Sequence, residues 1–385
     1  MHFLPGNRIE LLRNGDEFFP ALIAAMDAAA TEIRLETYLF ANDTTGKQVV
    51  EALARAAQRG VTVQLMVDGF GAANFSADFG ERLLAAGVDV RVFRPEVARF
   101  RLRRHRLRRL HRKLATIDAR IAFVGGINII DDLDTPGQIP PRHDYAVRIE
   151  GPLLAPIHGV MQRLWHLVSW ANLRQRQPQV QVLAPVTAPC GSILAAFLIR
   201  DNLRHRRDIE NAYLSAIGAA RHEIIIANAY FLPGRRFRQA LIAAAQRGVR
   251  VTLLLQGRVE YRLLHYATQS LYGTLLAAGI QIQEYRQGFL HAKVAVIDSH
   301  WATVGSSNID PFSLMLAREA NVVIRDHGFA SELLHHLQQT MHHGAHTVAA
   351  SDWRIRALPT RFLGWLAYGL VRLMVDGLGY GEKRT

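Results

Sequence analysis

The chain has 385 residues, 49% of them hydrophobic, enough for two or three domains at about 100–200 residues each. This excludes disorder, collagen and a small disulfide scaffold. The 46 Lys+Arg against 33 Asp+Glu give +13, which favours an anionic partner such as nucleic acid, acidic lipid or a phosphorylated small molecule. The single cysteine, Cys190, excludes an intramolecular disulfide and a Cys-based zinc site, and points to a reducing compartment.

The opening MHFLPGNRIELLRNG has no apolar stretch of the signal-peptide kind. Two sequence blocks then recur. EIRLETYLF from Glu32 is answered by EIIIANAYF from Glu223, AAQRGVTVQLMVDG by AAQRGVRVTLLLQG, and LLAAGVDV from Leu83 by LLAAGIQI from Leu275. Each half reads as strand, amphipathic helix, strand, helix, strand, with Gly60, Gly87, Gly248 and Gly279 at helix C-terminal ends. The predicted class is α/β: two similar domains from an internal duplication, each a mixed β-sheet flanked by helices. The expected boundaries are 1–173 and 190–350, joined by the polar, proline-bearing stretch RQRQPQVQVLAPVTAP, with a basic amphipathic tail over 351–385.

The offset between halves is 192 residues at LLAAG but 180 at the next shared motif, so the first half holds an insertion. It falls in RFRLRRHRLRRLHR, residues 99–112, which carries eight arginines and no acid. The segment is expected to contact an anionic surface or substrate. In the tail, Phe362, Trp365, Leu366, Leu370 and Leu373 share one helical face with Arg361 and Arg372 off it, a pattern suited to a helix in a membrane interface or packed on the core. The apolar run from Phe362 to Val371 stops well short of the ~20 residues that span a bilayer.

The shared motif is HxKxxxxDxxxxxxGxxN. It comprises His111, Lys113, Asp118 and Asn128 in the first half, and His291, Lys293, Asp298 and Asn308 in the second. Alternate strand side chains share a face, so His and Lys of each pair project together. A phosphodiester suits this set. Two lysines and two amides can neutralise the non-bridging oxygens; one neutral imidazole can attack phosphorus while the other, protonated, gives its proton to the leaving alkoxide. A lysine two residues from each histidine disfavours a metal, so neither metal nor cofactor is expected. Ser306 follows the glycine of the second motif where the first has Gly126, which leaves the first half without that phosphate-side hydroxyl. Asp68-Gly69-Phe70-Gly71 reads as a loop near the mouth of the site, and Tyr38 and Tyr230 as cleft-lining or packing residues.

These motifs resemble the phospholipase D superfamily over nearly the whole chain. RLHRKLATIDARIAFVGGIN, HDYAVRIEGP, IIIANAYFLPGRR and LHAKVAVIDSHWATVGSSNIDPFSL are similar to the bacterial cardiolipin synthases of the short type, without transmembrane helices. The resemblance implies one composite site between two phospholipase D-type domains and phosphatidyl transfer through a phosphohistidine. His111 would be the nucleophile, His291 the acid and base, Lys113 and Lys293 the phosphate clamps, and Asp118 and Asp298 the imidazole orienters. Asn128, Ser306 and Asn308 would bind substrate; Glu319 has no role assigned. The expected substrate is phosphatidylglycerol at the cytoplasmic face of a bacterial membrane, with the protein peripheral and no nucleic acid involved. The competing readings are a phospholipase D-type hydrolase and a nuclease of the same superfamily, which a basic groove would also serve.

Overall fold

The computed structural model describes residues 1–95, 108–135, 139–171, 183–201, 204–259, 261–310, 317–351 and 358–377. Most of the arginine-rich insertion, the first part of the inter-repeat stretch, and residues 352–357 and 378–385 of the tail lie outside this set.

The first half runs β1 (Leu4–Arg13), α1 (Asn14–Asp27), β2 (Glu32–Thr37), α2 (Thr44–Gln58), β3 (Thr62–Asp68), a π-helical turn (Ser76–Gly80) into α3 (Glu81–Ala85), and β4 (Asp89–Phe93). It continues through β5 (Arg109–Leu110), β6 (Lys113–Ile117), β7 (Ile121–Gly125), β8 (Arg142–His143), β9 (Tyr145–Glu150) and α4 (Leu154–Ala171). The second half repeats this order with β10 (Ile193–Arg200), α5 (Asp208–Ala219), β11 (Glu223–Asn228), α6 (Arg235–Gln246), β12 (Arg250–Gln256), α7 (Arg262–Ala277) and β13 (Gln281–Tyr285). Then come β14 (Phe289–Leu290), β15 (Lys293–Ile297), β16 (Trp301–Gly305), β17 (Ala317–Arg325), α8 (His327–Gly344), β18 (Ala345–Thr347) and α9 (Leu358–Gly377).

The strands form a continuous mixed sheet whose order mirrors itself about its centre. From one edge it reads β4-β3-β2-β6-β7-β9-β1, and from the other β13-β12-β11-β15-β16-β17-β10, with β18 beyond β13. β1 and β10 pair antiparallel and join the halves. In each half the outer three strands are parallel, connected by crossover helices, and the inner ones antiparallel. Where α2, α3, α6 and α7 must turn into the next strand, Gly60, Gly87, Gly248 and Gly279 adopt φ of 82–90°, a left-handed conformation that glycine reaches without a Cβ penalty.

One central core takes Leu11, Val147 and Met161 from the first half and Val304, Val322 and Leu333 from the second. Separate outer cores lie under α1 and α2 around Leu22, Leu53 and Leu65, and under α5, α6 and α7 around Leu241, Leu253 and Leu275. The two β2-type strands differ on their inner face. In β2, Glu32 accepts from Arg34 at 2.6 Å and from His158 of α4 at 2.7 Å, whereas β11 puts Ile225 and Ala227 into the central core.

α9 packs a narrow edge on α7: Ala367 and Val371 are buried, and Gly364 lets the backbones approach so closely that a Cβ would lie 3.2 Å from the Tyr266 carbonyl oxygen. Trp365, Leu366, Leu370 and Leu373 remain exposed, by 68%, 52%, 48% and 70%. The core-packed arrangement thus holds for one edge of the helix, and its opposite apolar face stays uncovered among the described residues. No helix of the described residues is long and apolar enough to cross a membrane.

Candidate active site

His111 follows β5, a two-residue strand that pairs in parallel with the start of β17 in the other half. Its backbone N–H donates to the Arg318 carbonyl at 3.0 Å, which brings the next side chain, Glu319, under the imidazole. His111 Nδ1 lies 2.9 Å and 3.1 Å from the two Glu319 carboxylate oxygens. The second half does the reverse. β14 pairs in parallel with β8, His291 N–H donates to the His143 carbonyl at 2.8 Å, and His291 Nδ1 meets Asp144 Oδ2 at 2.6 Å. Each histidine is thus held by a carboxylate from the opposite half. With Nδ1–H donated to the carboxylate, the tautomer is fixed and Nε2 carries the lone pair.

Both carboxylates are buried, and a buried charge without partners costs roughly several kcal/mol. Glu319 is compensated further by the Ser306 hydroxyl, which donates to Oε2 at 2.5 Å. Asp144 accepts from Lys293 Nζ at 3.3 Å and from the Tyr145 N–H at 2.8 Å. Burial pushes the Asp144 carboxyl up, but Lys293 and His291 outweigh it and keep the group below the usual carboxylate range.

Burial favours the neutral form of the basic groups. It lowers His111 against the opposing pull of Glu319, and it lowers His291, with help from Lys293, to about 3. Lys113, whose ammonium donates to the His111 carbonyl at 2.7 Å, is lowered by burial to about 7. Lys293, which also donates to the His291 carbonyl, is lowered by burial despite Asp144. Lys293 acts on His111 and Lys113 on His291 electrostatically, so the two motifs lie within reach of each other's charge.

Two expectations need correction. Asp118 and Asp298 do not orient the imidazoles. Each sits past the far end of a five-residue strand, β6 or β15, roughly 16 Å along the chain at about 3.3 Å per residue. Asp118 accepts from the N–H groups of Ala30, Thr31 and Glu32 at 2.7–2.8 Å, and Asp298 from Arg221, His222 and Glu223 at 2.8–2.9 Å. They clamp left-handed turns (φ of 49° and 51°) to the start of β2 and β11. Ser306 does not face phosphate either: its hydroxyl donates to Glu319 and accepts from the Ala320 N–H at 3.1 Å. Gly126 is its counterpart because Asp144 stands where a Cβ would be, 2.3 Å from Oδ1.

Asn128 and Asn308 are buried in the loops after β7 and β16. Asn128 Oδ1 accepts from the Leu39 N–H at 3.2 Å, and Asn308 Oδ1 has no hydrogen-bond partner among the described residues. Tyr38 lies against His111, ring centroids 4.7 Å apart, and burial pushes its hydroxyl up to about 12. Tyr230 is not its equivalent: the matched bridges Phe40–Ile129 and Phe231–Ile309 align Tyr38 with Ala229. Asp68 is buried at the end of β3, where it accepts from Leu110 N–H at 2.8 Å and so holds the strand before His111; Gln256 does this for Leu290 at 3.3 Å. Sequence reasoning missed Asp144. The signal available was positional: Asp144 and Glu319 each lie two residues before the residue that pairs with the motif glycine, Ala146 with Gly125 and Asn321 with Gly305.

Residues 22–134 and 213–341 match the family model described as cardiolipin synthase, PLD-like domain. The chain belongs to this family. It is 41% identical over 357 residues to cardiolipin synthase B of Escherichia coli (strain K12), covering 90% of this chain and 81% of that protein. It is 43% identical over 333 residues to cardiolipin synthase B of Salmonella typhi (86% and 80% covered) and 31% over 354 residues to cardiolipin synthase A of Pseudomonas putida (91% and 72%). The fold is also that of the phosphatidylserine synthase of Haemophilus influenzae, with a TM-score of 0.72 at 14% identity over 98% of this chain and 96% of that one.

Proposed function

We propose that this member of the family is a cardiolipin synthase, a phosphatidyltransferase that works through a phosphohistidine. The observation that carries the reading is the crossed pair of His–carboxylate contacts, which leaves two imidazole Nε2 atoms serving one buried, lysine-lined site.

In the first step His111 Nε2 attacks the phosphorus of phosphatidylglycerol. The N–P bond forms, the P–O bond to glycerol breaks, and the His291 Nε2 proton passes to the departing oxygen. In the second, His291 takes the proton from a hydroxyl of another phosphatidylglycerol, whose oxygen displaces His111 to give cardiolipin. Lys113 and Lys293, with the amides of Asn128 and Asn308, hold the non-bridging oxygens. The free site keeps its imidazoles neutral, which suits a nucleophile. A bound phosphodiester anion then favours protonation of His291 and Lys113, so the acid forms when substrate arrives.

The exposed apolar face of α9 supports docking on a bilayer, and the chain's +13 supports preference for an acidic one at the cytoplasmic face of a bacterial membrane. Nucleic acid is not a partner in this reading. Incubating the purified protein with phosphatidylglycerol vesicles tests it. Cardiolipin with released glycerol is expected; phosphatidic acid alone would make the protein a hydrolase, and no lipid turnover would overturn the reading. Flotation with acidic vesicles should be lost when Trp365 and Leu366 are both changed to Glu.

A further inference from the structure

Where Gln256 holds Leu290, the residue before His291, the second half has a pocket. Tyr38 fills the space next to His111, and Gly71 makes room for it, since a Cβ there would lie 2.8 Å from the ring. The equivalent of Tyr38 is Ala229, whose N–H donates to the Ala292 carbonyl at 2.9 Å, one residue past His291. The pocket so left open is lined by Ala229, Tyr230, Gln256, Arg258, Tyr261 and His265 among others.

Gln256 is 8% exposed, and its carbonyl oxygen is committed to the Leu290 N–H, one residue before His291. Its Nε2 is buried with no hydrogen-bond partner among the described residues. A buried amide donor without an acceptor is costly, by about 1–3 kcal/mol in general, and so marks a place where a ligand acceptor belongs. The counterpart in the first half is Asp68, with both oxygens taken by backbone N–H groups. The pocket therefore offers a neutral amide donor and phenol rings 5.5 Å apart, while the Arg258 guanidinium in its wall donates to the Arg286 and Gln287 carbonyls.

We infer that this pocket is the alcohol site: it receives the neutral polyol headgroup, both the glycerol that leaves and the hydroxyl-bearing headgroup that attacks. An uncharged vicinal diol can accept from Gln256 Nε2 and lay its C–H edges on the tyrosine rings, whereas an ammonium group has no lone pair to accept that N–H. Two of its lining residues, Gln256 and Ala229, bond the backbone of Leu290 and Ala292 on either side of the histidine proposed to move protons to and from alcohol oxygen. Tyr38 closes the corresponding approach to the histidine proposed as nucleophile. The inference rests on the phosphatidyl-transfer reading.

The test uses full-length protein, phosphatidylglycerol vesicles and deuterated glycerol, with mass spectrometry scoring labelled phosphatidylglycerol (exchange) against phosphatidic acid (hydrolysis). Gln256→Glu keeps the acceptor for Leu290 and removes the donor; Ala229→Tyr fills the pocket as Tyr38 does. In both, the exchange-to-hydrolysis ratio should fall at least tenfold and the KM for glycerol should rise. Ethanolamine should be the poorer acceptor in the wild type. A ratio and a glycerol KM within twofold of wild type in both variants would overturn the assignment, even with total turnover reduced. A wild-type protein that makes neither product would instead overturn the transfer reading beneath it.

Discussion

On the first-half side of the site, Tyr38 lies over His111, Glu319 reaches across from β17 and Ser306 steadies it; on the second-half side, Ala229 leaves an opening, and the shorter Asp144 reaches across to His291 with glycine at position 126. The backbones that hold these groups match strand for strand, down to the parallel two-residue pairings β5–β17 and β14–β8. The duplication supplies symmetry and the side chains divide the labour. A longer carboxylate with a serine and a shorter one with a glycine are two solutions to the same requirement, a buried acid beneath an imidazole.

The sharpest way to break this comparison is to remove each histidine. His111→Ala should reduce turnover by about 10³-fold or more and leave no phosphoprotein, while His291→Asn should slow turnover yet allow phosphorylated His111 to accumulate, read by intact-protein mass. Label trapped in the His111 variant would exchange the roles. Next come the crossed carboxylates: Glu319→Gln and Asp144→Asn should each lower kcat by about 10²-fold with the protein still folded, because the imidazole loses its tautomer control. Unchanged kcat in either would remove it from the site.

The pH profile follows from the lysine. Burial lowers Lys113 to about 7 in the free protein, and it must be protonated to hold phosphate, so kcat/KM should fall more steeply above that value than below it, by about one further factor of ten per pH unit. The acid limb lies below the ordinary histidine value, because burial holds His111 neutral. In saturating substrate the alkaline limb should move up, since the phosphodiester favours the ammonium. A kcat/KM flat to pH 9 would contradict this.

Stability effects are smaller. Gly126→Ser has no room beside Asp144 and should cost about 1–3 kcal/mol in chemical denaturation, more than Ser306→Gly. Asp118→Asn should cost about 1 kcal/mol with little change in kcat, since it clamps a turn. Its carboxyl is raised by burial but lowered more by three backbone N–H donors, so it binds protons less readily in the folded state. That stability is present above the ordinary Asp value and is lost as pH falls through the lowered one. Equal activity loss in Asp118→Asn and Glu319→Gln would restore an orienting role to Asp118.

The sequence by itself determined the duplication, the α/β class, the left-handed glycine ends of the helices and both H-x-K pairs, because these are local periodicities or exact repeats. It could not identify the acids that serve the histidines. Asp118 lies seven residues from His111 in sequence, but an extended strand cannot fold back on itself, so proximity in the chain is distance in space. Glu319 lies 208 residues away and Asp144 lies 147 from its partner, and both arrive only because short strands cross between the halves. The ungapped repeat already sets Tyr38 opposite Ala229, and the matched bridges at Phe40 and Phe231 keep that register; only the fold shows that Tyr38 lies against His111. The net charge of +13 concentrates in the insertion and the tail, while the site itself is governed by a few buried ion pairs whose partners only the fold brings together.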